Sequence, residues 1–104
     1  MSATNDYDQA ILHTLTCIPH GKICTYGHIS NMSGHHGKAR YVGYILKHLP
    51  STSTIPWHRV INSQGRISFP KDSERYQLQV RLLEDEGICV INGTVSLKDY
   101  LWLG

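Results

Sequence analysis

Between Gln9 and Lys71 the sequence contains no aspartate and no glutamate. The same stretch carries Lys22, Lys38, Arg40, Lys47, Arg59, Arg66 and Lys71, together with every histidine of the chain. Asp6 and Asp8 precede it, and Asp72, Glu74, Glu84, Asp85, Glu86 and Asp99 follow it. The formal net charge is only +2, so the imbalance is one of distribution, with one face expected to be basic and another mildly acidic. Such asymmetry suits a polyanionic partner, although uneven charge on a solvated surface gives the same pattern.

Other absences narrow the class. No apolar stretch approaches the ~20 residues of a membrane span, so no membrane partner is expected. The opening residues, MSATNDYDQAILHTL, show neither a basic region nor a long apolar segment, which argues against a secretory signal. Cysteine is scarce and odd in number (Cys17, Cys24, Cys89), which points to reduced thiols in an intracellular protein rather than a disulfide framework. Repeats, low-complexity tracts and linkers are missing. With 104 residues, 40% of them hydrophobic and 17% charged, the natural reading is one folded, monomeric domain spanning residues 1–104.

What is present reads as mainly α with small β hairpins. Asn5 or Asp6 can cap a first helix in which Ile11, Leu12, Leu15 and Ile18 recur at helical spacing, before Pro19 and Gly21 break it. Thr25 is a candidate N-cap for a short helix, YGHISNMSG, closed by Gly34. After a turn at HHGK, the segment KARYVGYILKHL forms a third helix with Ala39, Val42, Ile45, Leu46 and Leu49 on its apolar side, ended by Pro50 and STST. Two helices across a short Gly-containing turn resemble a helix-turn-helix, a weak signal on topology alone. HRVINSQGRIS alternates around NSQG and reads as a tight hairpin with Gly65 at positive φ. SERYQLQVRLLEDEG is the last long helix, with Tyr76, Val80 and Leu83 inward and Gly87 as its stop. ICVINGTVSL turns at Asn92-Gly93, and the apolar end LKDYLWLG is expected to pack back on the body.

Four stretches combine: TYG (25–27), KARYVG (38–43), IPWHRVINSQG (55–65) and LLEDEG (82–87). Their order and spacing resemble the C-terminal domain of O6-alkylguanine-DNA alkyltransferases over roughly Ile11 to Trp102. The match is nearest to the alkyltransferase-like proteins, in which tryptophan replaces the nucleophilic cysteine. The resemblance implies a winged helix-turn-helix applied to the DNA minor groove. It implies that Arg40 enters the base stack as a finger in place of a flipped guanine, and that Tyr26 turns the phosphate of the rotating nucleotide. A guanidinium suits that task, because it stacks while donating to the orphaned base or to phosphates. The small residues Ala39 and Gly43 flank the finger and let the helix approach the groove floor.

Position 57 decides the chemistry. Alkyl transfer from guanine O6 needs an activated thiolate, and an indole offers only a hydrogen-bond donor. The resemblance aligns His58 with the family's general base and Glu86 with the carboxylate that orients it; without a nucleophile they become a structural pair. Neither Cys17 nor Cys24 falls within the pocket motif. The implied lesion pocket comprises Tyr26, Trp57, His58, Arg59, Val60, Arg66 and Lys71, with Arg59 and Asn62 expected to tie the pocket strand to the recognition helix. The expected function is a non-enzymatic sensor of O6-alkylguanine in duplex DNA. It flips the damaged nucleotide and leads to nucleotide excision repair proteins, and it needs no cofactor or metal. Three alternatives stay open. One is residual alkyltransferase or glycosylase-like chemistry using His58 and Glu86; another is a winged-helix DNA binder without lesion preference. The third is a zinc site drawn from Cys17, His20, Cys24, His28, His35 and His36.

Overall fold

The computed structural model describes residues 6–50 and 52–104. Asn5, one of the two candidate caps, and Ser51 lie outside the described residues. The molecule is a small, mainly helical domain with one short two-stranded sheet. No helix among the described residues is long and apolar enough to cross a membrane.

Helix α1 (Asp6–Thr16) buries Ile11 and Leu15 along the stripe expected for it. After the break at Pro19, strand β1 (Cys24–Thr25) leads directly into α2 (Tyr26–Met32). The Thr25 hydroxyl accepts the His28 backbone N–H at 3.2 Å, which satisfies one of the orphan donors of the first turn. Between α2 and α3 (Ala39–His48), the fully buried Ser30 fixes the connection: its hydroxyl accepts the Lys38 N–H at 2.9 Å and donates to the His35 carbonyl. Helix α3 buries Val42 and Leu46, with Ile45 and Leu49 packed at the edge of the same cluster.

Strand β2 (Val60–Ile61) returns beside β1 in parallel, with Cys24 opposite Val60 and Thr25 opposite Ile61. The α2–α3 pair is therefore the crossover of a parallel unit. Successive strand residues point to opposite faces, which divides the core in two. Cys24 and Val60 pack with Ile11, Leu15, Ile18, Ile29, Val42, Leu46 and Trp57. Ile23 and Ile61 pack with Ile67, Leu83, Ile88 and Val95. The chain end does pack back: α5 (Leu97–Tyr100) delivers Tyr100 and Trp102 to Ile23, whose N–H donates at 3.0 Å and whose carbonyl accepts at 2.8 Å.

One expected hairpin is corrected. The NSQG turn forms, with Gly65 at φ +81° and the Asn62 side chain accepting the N–H groups of Gln64 and Arg66. Its arms meet only next to the turn, where the Asn62 N–H donates to Arg66 O at 2.9 Å, and His58 and Arg59 lie in a 3-10 turn (Trp57–Arg59) rather than in an extended arm. Instead the outgoing arm pairs with the Asn92-Gly93 hairpin: Ile67 N–H reaches Gly93 O at 2.9 Å and Val95 N–H reaches Gly65 O at 2.7 Å. That second hairpin is the tight turn expected, with both central residues at positive φ. Helix α4 (Glu74–Asp85), capped by the Ser73 hydroxyl, buries Leu83 and also Gln79, which was not anticipated.

Candidate nucleic-acid interface

Helix α3 builds one side of the site. Its first turns present Ala39, Arg40 and Gly43 along one face, and Thr25 places Tyr26 at the opposing start of α2. These residues, with Leu46, Lys47 and the Ser68–Phe69–Pro70 segment, line a cavity of ≈ 420 Å³. That volume lies in the range of small-ligand pockets. Arg40 is exposed and makes no hydrogen bond or ion pair among the described residues, so its guanidinium is available to a partner. Burial pushes the Tyr26 hydroxyl up from its usual pKa, and a hydrogen bond with Ser68 acts the other way. A Cβ added to Gly43 would meet the Tyr26 ring at 3.8 Å, an ordinary contact. The protein's own packing therefore does not require glycine there; the open space belongs to the cavity.

Trp57 takes a different place from the one expected. Its residue is 2% exposed and does not line this cavity. Phe69 meets its indole edge-on at 5.9 Å, and the Arg75 guanidinium lies 4.7 Å from the indole centroid and 5.3 Å from that of Phe69. Both distances suit cation–π attraction. Arg75 also donates from Nη2 to the Leu49 carbonyl at 2.9 Å, which ties α4 to the end of α3. Phe69, the shared wall, stands between the open cavity and the tryptophan. Nothing in the sequence marks Arg75 for this task, since a helix arginine is ordinarily solvated.

The remaining expected pocket residues are dispersed. Trp57, His58 and Arg59 line a second cavity of ≈ 340 Å³ with Ser53, Thr54, Ile55 and Pro56. Val60 is buried beneath the sheet, and Arg66 and Lys71 are exposed without lining the first cavity. The structure thus gathers Tyr26, Ala39, Arg40 and Gly43 around the first cavity, with Trp57 packed against its lining residue Phe69 and His58, Arg59, Val60, Arg66 and Lys71 outside that lining.

Arg59 and Asn62 do not tie the strand to α3, contrary to expectation. Asn62 uses its side chain on its own turn. Arg59 turns the other way because Glu86 holds it: Nε lies 3.0 and 2.9 Å from the two carboxylate oxygens, and Nη1 donates to Ile18 O at 2.8 Å. Glu86 also accepts the Gly21 N–H at 2.8 Å and lies 2.6 Å from His58 Nε2. Burial raises the carboxyl's pKa, but Arg59, the Gly21 N–H and His58 together outweigh it and hold it down, from 4.5 to about 2. Burial lowers His58, against the pull of Glu86. An ionised carboxylate can only accept, so a neutral His58 carries its proton on Nε2 and donates. From α4, the Gln79 side-chain nitrogen donates at 3.0 Å to the carbonyls of both His58 and Val60 and fixes the segment between them.

No thiol stands in for the absent nucleophile at this cavity. Cys24 is buried in the core, and burial pushes its thiol up to about 11; Cys17 and Cys89 are exposed and line neither cavity. Among the described residues, no three His, Cys, Asp or Glu side chains gather in a way that would hold a metal ion.

Comparison with known proteins now adds to this geometry. Residues 6–88 match the family model described as 6-O-methylguanine DNA methyltransferase, DNA binding domain. A DNA base-flipping protein of Vibrio parahaemolyticus is 47% identical over 95 residues, covering 89% of each chain. Alkyltransferase-like protein 1 of Schizosaccharomyces pombe is 41% identical over 90 residues, covering 82% of this chain and 83% of that one. The fold superimposes on the crystal structure of S. pombe Atl1 in complex with damaged DNA containing O6-carboxymethylguanine. The TM-score is 0.87 at 36% identity, covering 97% of this chain and 98% of that chain.

Proposed function

This chain belongs to the 6-O-methylguanine DNA methyltransferase DNA-binding-domain family, and from that premise we propose that it is a non-enzymatic sensor of O6-alkylguanine in duplex DNA. Helices α2 and α3 act as a helix-turn-helix in the minor groove, and the paired turns at Gly65 and Gly93 act as the wing. Arg40 fills the gap left by a nucleotide rotated out of the stack, and Tyr26 guides its phosphate. The everted base enters the cavity between α3 and the Ser68–Pro70 segment. The observation that carries this reading is that cavity beside an unengaged Arg40, in a chain whose nucleophile position is filled by a buried tryptophan.

The energetics fit recognition without turnover. Eversion costs a few kcal/mol, and less when alkylation has already weakened the pair. Base–aromatic contacts return ~1–3 kcal/mol each, and an alkyl group adds about 0.8 kcal/mol per buried methylene. Trp57 acts through Phe69, bracing the wall that the base meets. The triad of His58, Arg59 and Glu86 holds the segment below it and transfers no proton. An unreacted lesion stays marked on the DNA, and the bound protein passes it to nucleotide excision repair proteins inside the cell.

Titration of matched duplexes with and without one O6-methylguanine tests the proposal. Tighter binding to the damaged duplex is expected, and equal affinities overturn lesion sensing. Arg40→Ala is expected to weaken binding to both duplexes and to shrink the difference between them; an unchanged complex removes the finger role.

A further inference from the structure

Beside Arg40 the structure carries a feature that the lesion pocket does not use. Tyr7 of α1 and Tyr41 and Tyr44 of α3 form a column of nearly parallel rings. The centroids lie 4.9 Å apart at 17° for Tyr7–Tyr41, and 5.8 Å apart at 18° for Tyr41–Tyr44. The middle ring is fixed, since Tyr41 Oη donates to Asp8 at 2.5 Å. The outer ring is more open: Tyr44 is 56% exposed, with His48 tilted against part of it at 4.3 Å. Arg40, Tyr41 and Tyr44 line one shallow surface hollow, so the column and the finger share a surface.

An exposed ring held flat by two others behind it is pre-organised to receive another planar ring. The surroundings favour a polyanion as the bearer of that ring. The exposed side chains of α3 include Arg40, Lys47 and His48, and the helix contains no acid. Helix spacing gives the register: residues four apart rise about 6 Å, against about 3.4 Å per base step. A ring at position 44 therefore meets DNA one or two steps from whatever Arg40 contacts.

We propose that Tyr44, backed by Tyr41 and Tyr7, is a second DNA contact that stacks on a nucleobase one or two steps from the gap filled by Arg40. The proposal rests on the reading of α3 as the helix that enters the groove. Base–aromatic stacking needs a flat ring and tolerates any base, and Tyr44 supplies that contact beside the finger, which an aliphatic side chain of similar size does not. Stacking does not depend on the alkyl group, so this contact adds affinity for damaged and undamaged DNA alike.

The test uses the full chain and the matched duplexes. Tyr44→Ala is expected to weaken binding to both by about 5- to 150-fold and to preserve their ratio. Tyr44→Phe is expected to bind like the parent, and Tyr44→Leu like the alanine variant. Melting curves of all three variants are expected to match the parent, because the ring is mostly outside the core. Tyr44→Ala binding within twofold of the parent overturns the contact, and Tyr44→Leu retaining full affinity overturns stacking as its basis. Should the unaltered protein bind neither duplex, the DNA reading itself fails, a result distinct from either.

Discussion

Glu86 joins three separate parts of the chain through one carboxylate: the Gly21 loop, the 3-10 turn with His58 and Arg59, and the end of α4. Its pKa is held at about 2, below its ordinary 4.5, so it binds fewer protons folded than unfolded. Its stabilisation is therefore complete above about pH 4.5 and is lost as pH falls through about 2. His58, also lowered, acts in the same direction, since the unfolded chain takes up its proton first on acidification. Glu86→Gln is expected to cost on the order of 3 kcal/mol at neutral pH, because Arg59 loses its counter-charge. Urea unfolding from pH 7 to pH 2 should show the gap between the two proteins closing; a gap independent of pH contradicts the assignment. Gly43 tests the other side of the site. Gly43→Ala adds a methyl in ordinary contact with Tyr26 and improves helix propensity by up to about 1 kcal/mol. Unfolding and DNA titration should move in opposite senses, with stability equal or higher and affinity lower. At this scale the sequence displayed Arg40, Trp57, His58 and Glu86 through their motif. It hid Arg75, Phe69 and Gln79, whose roles arise from partners distant in sequence.

Among elements, the four longer helices were readable, and the short α5, the 3-10 turn and the strands were not. Thr25 at the head of TYG and the apolar spacing of α3 are local signals, and both helices begin within a residue of where those signals put them. Strands of two residues have no period to detect, and β1–β2 pairing joins residues separated by the whole α2–α3 unit. The alternation in HRVINSQGRIS was real, but its first residues lie in the 3-10 turn, β2 pairs with β1 and the outgoing arm pairs with the next hairpin. The Ser68–Pro70 segment closes the cavity from outside the helix pair, with Phe69 covering Trp57. Phe69→Ala is expected to join the cavity to the indole and deepen it. Affinity for DNA carrying larger O6-alkyl groups should rise relative to O6-methylguanine, measured as the ratio of dissociation constants. A ratio unchanged from that of the parent assigns the screening to some other group.

For the molecule as a whole, the uneven charge of the sequence has a structural counterpart. The α3 face carries Arg40, Lys47 and His48 without an acid, while α4 carries Glu74, Glu84 and Asp85 alongside Arg75 and Arg81. Crossover helices, sheet and wing-like turns hold that basic face beside a cavity with no thiolate in its wall. On the proposed reading, binding and chemistry are thereby separated: α3 and its cavity would take a base from the stack, and no thiol lines the cavity to accept its alkyl group. The intact mass of the protein after incubation with a duplex containing O6-methylguanine tests this most directly. The mass should remain that of the unreacted chain while the duplex keeps its methyl group. A protein heavier by one methyl in place of a hydrogen, with guanine restored in the DNA, would contradict the account.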